Sequence, residues 1–119
     1  MTTSTDPAVR LCARRDTLHS RMERVSAAED RQMMAEVAAG TYAGRFDDRA
    51  RALWERLLAA VAEIEQRIIA TPATSPAGVA AKLRSTGTES LGDHSTFGAF
   101  AAPVIVSALA DLDRIGGAL

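Results

Sequence analysis

Cysteine, histidine and the carboxylates are the residues of this sequence best suited to chemistry, and their spacing scatters them. Cys12 is the single cysteine, next to Leu11 and close to Arg14 and Arg15. A neighbouring cation can lower a thiol pKa and produce a nucleophilic thiolate, but a small, half-buried helix cysteine needs no such role. His19 stands alone on its segment. Asp93, His94 and Ser95 are consecutive, whereas a catalytic triad is assembled from parts separated in sequence. Zinc needs three or four converging Cys, His or carboxylate ligands. Glu29, Asp30 and Glu36 fall on one stretch and Glu63 and Glu65 on another, and no Glu-x-x-His pair of the di-iron bundle type occurs. The glycines never form a phosphate-cradling pattern followed by Lys. The expectation is a protein without catalytic residues, metal site or cofactor.

Two stretches suit recognition better than catalysis. Tyr42, Arg45 and Phe46 combine two aromatic side chains and a guanidinium in a loop punctuated by Gly40 and Gly44, and these residue types are enriched in binding patches. They are the candidate partner-binding residues. SPAGVAAKL, residues 75–83, is similar to the first half of many helix-turn-helix motifs, in which a short small-residue helix packs behind a recognition helix. The second half would need a tight turn and a polar or basic helix for the major groove. Here a dozen polar residues follow, and the next apolar segment carries one cation, Arg114. With 14 Lys plus Arg against 15 Asp plus Glu, the net charge of −1 offers little to neutralise phosphates.

The elements that must position these residues are helical. Asp6 before Pro7 is a helix start, with the carboxylate placed to accept from first-turn amides. Ala8, Leu11, Leu18, Met22 and Val25 recur at helical spacing, interrupted only by Arg15, and predict a first helix over 7–25. The phase breaks there, and Ser26-Ala-Ala-Glu29 reads as a capping box. A second helix is expected over 27–39, with a single bent helix as the alternative; Met22, Met33 and Met34 read as core fillers. Residues 48–70 are the strongest element. Ala50, Trp54, Leu57, Val61, Ile64 and Ile68 form an a/d stripe, of which Trp54 is either core or an anchor for a partner helix. TPATSP stops this helix. A short helix is expected over 76–85 and a polar connection over 86–96. A last helix starts near Phe97 or Ala102, with Ala101, Ile105, Ala108, Leu112 and Ile115 facing inward and Leu109 beside them.

DPAVRL, the Trp54-centred helix, IIATPATSPAGVAAKLR and SALADLDRI together resemble a group of small uncharacterised, Ala-rich helical proteins of proteobacterial genomes. The resemblance covers most of the chain. It implies an all-helical fold and a setting near phage or mobile-element genes, and it brings no catalytic residues.

The expected architecture is therefore an all-α bundle of four to five helices around one long central helix, about 48–70. Residues 1–6 form a flexible start, 7–116 a single domain and 117–119 a tail. Alanine supplies 24 residues, so the larger apolar side chains suffice for one small core. MTTSTDPAVR has neither the basic start nor the apolar run of a signal peptide, no stretch approaches a membrane span, and the compartment expected is the cytoplasm. The function expected is a non-enzymatic helical interaction module that pairs with itself or with another protein. The resemblance allows, as one form of it, an accessory or inhibitor protein of a phage or mobile element. A DNA-binding regulator built on residues 75–85 is the alternative.

Overall fold

In a computed structural model of the chain, residues 6–42, 48–86 and 100–117 are described. Among them are four α-helices and no strand: α1 Pro7–Ala39, α2 Asp48–Ala70, α3 Pro76–Ser85 and α4 Ala101–Gly117. The fold is an all-α bundle. α1 packs on α2 and α3, and α4 packs on α3 and α2.

The first 33-residue helix is continuous, which corrects the expected division at Ser26. No Gly or Pro interrupts residues 8–39, and Ala27, Ala28, Ala35, Ala38 and Ala39 all favour helix. A capping box acts only where the chain turns away, and here nothing turns it. Gly40, at φ 73°, ends α1. Its N–H bonds the Val37 carbonyl at 3.1 Å and the Thr41 N–H bonds that of Glu36 at 2.9 Å, a Schellman closure that needs the left-handed glycine. The phase break at Val25 has another cause. At 1.5 Å per residue α1 is about 50 Å long and outruns its neighbours, so its buried residues all lie between Ala8 and Met22. Met33 and Met34 are consequently exposed and fill no core.

α2 has the bounds its stripe predicts, and Leu57, Val61, Ile64 and Ile68 are buried. Trp54, one turn earlier, is half-buried. Among the described residues the core runs through the bundle in three clusters. Ala8, Ala73, Val79 and Ala108 pack where α1, α3 and α4 meet. Cys12, Ile64, Ile68, Phe100 and Val104 fill the middle. Met22, Leu57 and Val61, with Trp54 and Val25 alongside, join α1 to α2.

Three polar side chains hold the helices in register. Arg15, the polar residue on the apolar face of α1, is fully buried. Its guanidinium reaches Glu65 Oε2 of α2 at 2.7 and 2.9 Å, donates to the Ser85 carbonyl of α3 at 3.2 Å and lies 4.5 Å from the Phe100 ring centre before α4. Lys82 of α3 is equally buried and pairs with Asp111 of α4 at 2.6 Å, also donating to Ser107 Oγ at 2.8 Å. Ser107 in turn donates to the Ile69 carbonyl of α2 at 2.9 Å.

Asp6, grouped above with a flexible N-terminus, is buried and fixed. It caps α1 by accepting from the Ala8 N–H at 2.9 Å, and accepts from the Thr74 N–H at 3.0 Å and the Ser75 hydroxyl at 2.6 Å. Ser75 Oγ itself caps α3 through the Gly78 N–H. Burial alone would raise the Asp6 pKa, but the Ser75 hydroxyl and the amides of Ala8, Thr74 and Ser75 outweigh it and hold the carboxyl below its ordinary value. The carboxylate lies so close to Gly78 that a Cβ there would come within 2.7 Å of Asp6 Cγ.

Candidate interaction surface

α4 carries two apolar stripes, and only one is buried. Ala101, Val104, Ala108 and Asp111 face inward, with Ile115 packed behind Ala108. Ile105 is 41% exposed, Leu109 57% and Leu112 46%, which corrects the expected inward face. Two physical reasons fix this rotation. Ala101 and Ala108 let the helix approach its neighbours closely, and Asp111 reaches the buried Lys82 ammonium. Turning the helix to bury Ile105, Leu109 and Leu112 instead would draw Asp111 away from Lys82 and leave a buried ammonium without its carboxylate. Arg114, from the last turn, donates to Asp111 and to the Ala73 carbonyl and so braces the same orientation.

The outward stripe is therefore Ala102, Ile105, Leu109 and Leu112, flanked by Val106 at 66% exposure. No ionisable residue occurs between Ala101 and Ala110. A contiguous exposed aliphatic strip on a rigid helix is the kind of surface that marks a protein contact.

Of the loop residues proposed for recognition, Tyr42 is 45% exposed just past the Gly40 cap, whereas Arg45 and Phe46 lie outside the described residues. Leu57, Val61, Ile64 and Ile68 serve the core. Trp54 stands between core and solvent, lining a groove of about 340 Å³ with Val25, Ala50, Glu29, Asp30 and Arg51 where α1 and α2 meet.

A second cleft, of about 370 Å³, is lined by Cys12, Asp16, His19, Ser20, Glu23 and Arg84 among others. His19 Nδ1 lies 3.5 Å from Glu23 Oε1, and its buried Nε2 has no hydrogen-bond partner. Burial first, and then the Asp16 charge, push the Cys12 thiol up, against the Ser85 hydrogen bond and the charges of Lys82 and Arg15. A protonated thiol is a poor nucleophile. Among the described residues no group of three or more His, Cys, Asp or Glu side chains is arranged to hold a metal ion. Asp93, His94 and Ser95 lie outside the described residues.

The 75–85 stretch folds as a capped helix whose inward face is Gly78, Val79, Lys82 and Ser85. The single lysine of the chain is thus committed to Asp111, and Arg84 is the exposed cation of α3. Among the described residues no helix is long and apolar enough to cross a membrane. Compared with protein-family models, curated proteins and solved structures, the chain matches none.

The outward face of α4 was hidden in the sequence because either stripe of the helix satisfies helical periodicity. The usable signal was charge. Lys82 sits four residues or fewer from Val79 and Leu83 on a short apolar helix, and Asp111 follows Val104 and Ala108 at spacings of 4 and 3. Two opposite charges on two apolar faces point to each other.

Proposed function

We propose that the protein is a non-enzymatic helical interaction module, cytoplasmic in location, that works by packing the outward face of α4 against a helix of a protein partner. The observation that carries this reading is the uncharged strip Ile105, Val106, Leu109 and Leu112 on a helix whose rotation is locked by Lys82 and Asp111. Nothing in the Cys12–His19 cleft supplies an activated nucleophile, so that cleft lends no support to an enzyme. The resemblance to proteins encoded near phage and mobile-element genes supports an accessory or inhibitor role. The DNA-binding alternative draws less support, because a recognition surface on residues 75–85 would have to work with Lys82 buried.

A photoreactive phenylalanine analogue placed at Leu109 in the producing cell tests the proposal. The expected result is a covalent adduct to a polypeptide, absent when the analogue replaces the exposed Thr17. Absence of a polypeptide adduct at Leu109 overturns it. A mobility shift on random duplex that weakens steeply with salt would favour the regulator instead.

A further inference from the structure

The outward strip of α4 has a repeat of its own. Ala102, Ile105, Leu109, Leu112 and Gly116 succeed one another at spacings of 3, 4, 3 and 4, the pattern of a two-helix seam. All five are exposed. Resting on the reading of α4 as a protein-docking face, we infer that its occupant is a second copy of this chain, with the two α4 helices antiparallel.

Three observations select this occupant. The strip from Ala101 to Ala110 is uncharged, so a partner surface must be uncharged as well, and a two-fold axis through α4 sets the strip against itself. The charge at the ends of the helix favours the antiparallel sense. The first turn of α4 has no acidic residue, and Asp113 lies in its last turns. Layers that set Ile105 of one copy against Leu109 of the other bring Ala102 to Leu112 and carry Asp113 to the level of Ala101. There the acid meets the positive end of the other helix dipole. The competing occupants fit less well. The stretch 87–99 offers only Leu91 and Phe97 as large apolar residues, fewer than the four aliphatic side chains to be covered. A lipid surface calls for Lys and Arg along the flanks of the apolar face, and α4 has only Arg114.

Sedimentation equilibrium of the full chain at micromolar concentration, followed by cysteine cross-linking, tests the inference. The wild type is expected at twice 12.6 kDa. Leu109→Glu is expected to raise the dissociation constant more than about thirtyfold, as for a hot-spot residue, with helical circular dichroism unchanged; Leu109→Ala is the milder variant should the charge prevent folding. In a Cys12→Ala background, Ala102→Cys and Leu112→Cys chains are expected to form a mixed disulfide when combined, and little of either symmetric one. A monomeric wild type overturns the inference. So does a dimer indifferent to both Leu109 variants, and so do 102–102 disulfides, which require parallel helices. The photo-adduct at Leu109 then separates the two readings: a monomer that still cross-links to another polypeptide retains the interaction module, and one that cross-links to none loses both.

Discussion

Lys82 and Asp111 meet at 2.6 Å between α3 and α4 with side chains 0% and 3% exposed. The pair decides which way α4 faces. A helix with aliphatic residues on two sides can bury either, and the one that also lets Asp111 reach the only lysine of the chain is the one buried. The surface left over is the surface available for function.

Removing one partner should be costly and removing both should not. Asp111→Ala leaves a buried ammonium with only Ser107 as acceptor and is expected to lower stability by about 3–5 kcal/mol. The double change Lys82→Met, Asp111→Leu should recover most of that loss. Urea denaturation of the single and double variants measures it; equal losses in both would show that the pair does not act as a unit.

Arg15 joins α1 to α2, α3 and the start of α4 through one guanidinium. Arg15→Ala is expected to cost about 3 kcal/mol or more, since Glu65 loses its partner and the Ser85 carbonyl its donor. Arg15→Lys should restore little, because a single ammonium cannot fork between Glu65 and Ser85 while lying flat on Phe100. Thermal melts of the two variants give the comparison, and full rescue by lysine would contradict this geometry.

Asp6 makes the junction of α1 and α3 sensitive to acid. Its native pKa is below the ordinary 3.8, so on acidification the unfolded chain takes up the proton first. The stabilisation it contributes is complete well above pH 3.8 and is lost as the pH falls through the lowered native value. Asp6→Asn should flatten that part of the stability–pH profile. Gly78→Ala should destabilise at every pH, by about 1–3 kcal/mol, since its Cβ would be driven against Asp6 and would lie 2.9 Å from Ala73 Cβ. A neutral Gly78→Ala change would mean that the carboxylate sits elsewhere.

Cys12 should be inert in the folded protein. Its thiol is buried and its pKa raised, so a disulfide reagent at neutral pH is expected to react only as fast as the bundle opens, and promptly in denaturant. Rapid labelling of the native chain would indicate an accessible thiolate and revive a chemical role for the cleft beside His19.

What was legible in the sequence was whatever depended on one helix at a time. The stripe Leu57, Val61, Ile64 and Ile68 and the bounds of α2 follow from periodicity, and the Asp6 cap from local chemistry. What was hidden depended on two helices at once. Val25 ends the inward stripe because α1 outlasts its partners, which no pattern within α1 records. Arg15 looked like a flaw in an apolar face until Glu65, Ser85 and Phe100 were brought to it from 50, 70 and 85 positions away. Ala101, Ile105, Ala108, Leu112 and Ile115 fit helical spacing as well as Ala101, Val104, Ala108 and Asp111 do, and Val104 and Asp111 take the core in place of Ile105 and Leu112 because close approach and the Lys82–Asp111 pair set the rotation.

Comparative melting of Val104→Asp and Leu109→Asp tests the orientation of α4 most directly, and with it the surface on which the proposed function rests. Val104 is fully buried, so its aspartate should unfold the bundle or remove several kcal/mol, on the order of a buried unpaired charge. The Leu109→Asp chain should keep its helical circular dichroism and melt as a folded protein. The reverse pattern, with Leu109→Asp unfolded and Val104→Asp stable, would contradict the orientation and take the outward strip away with it.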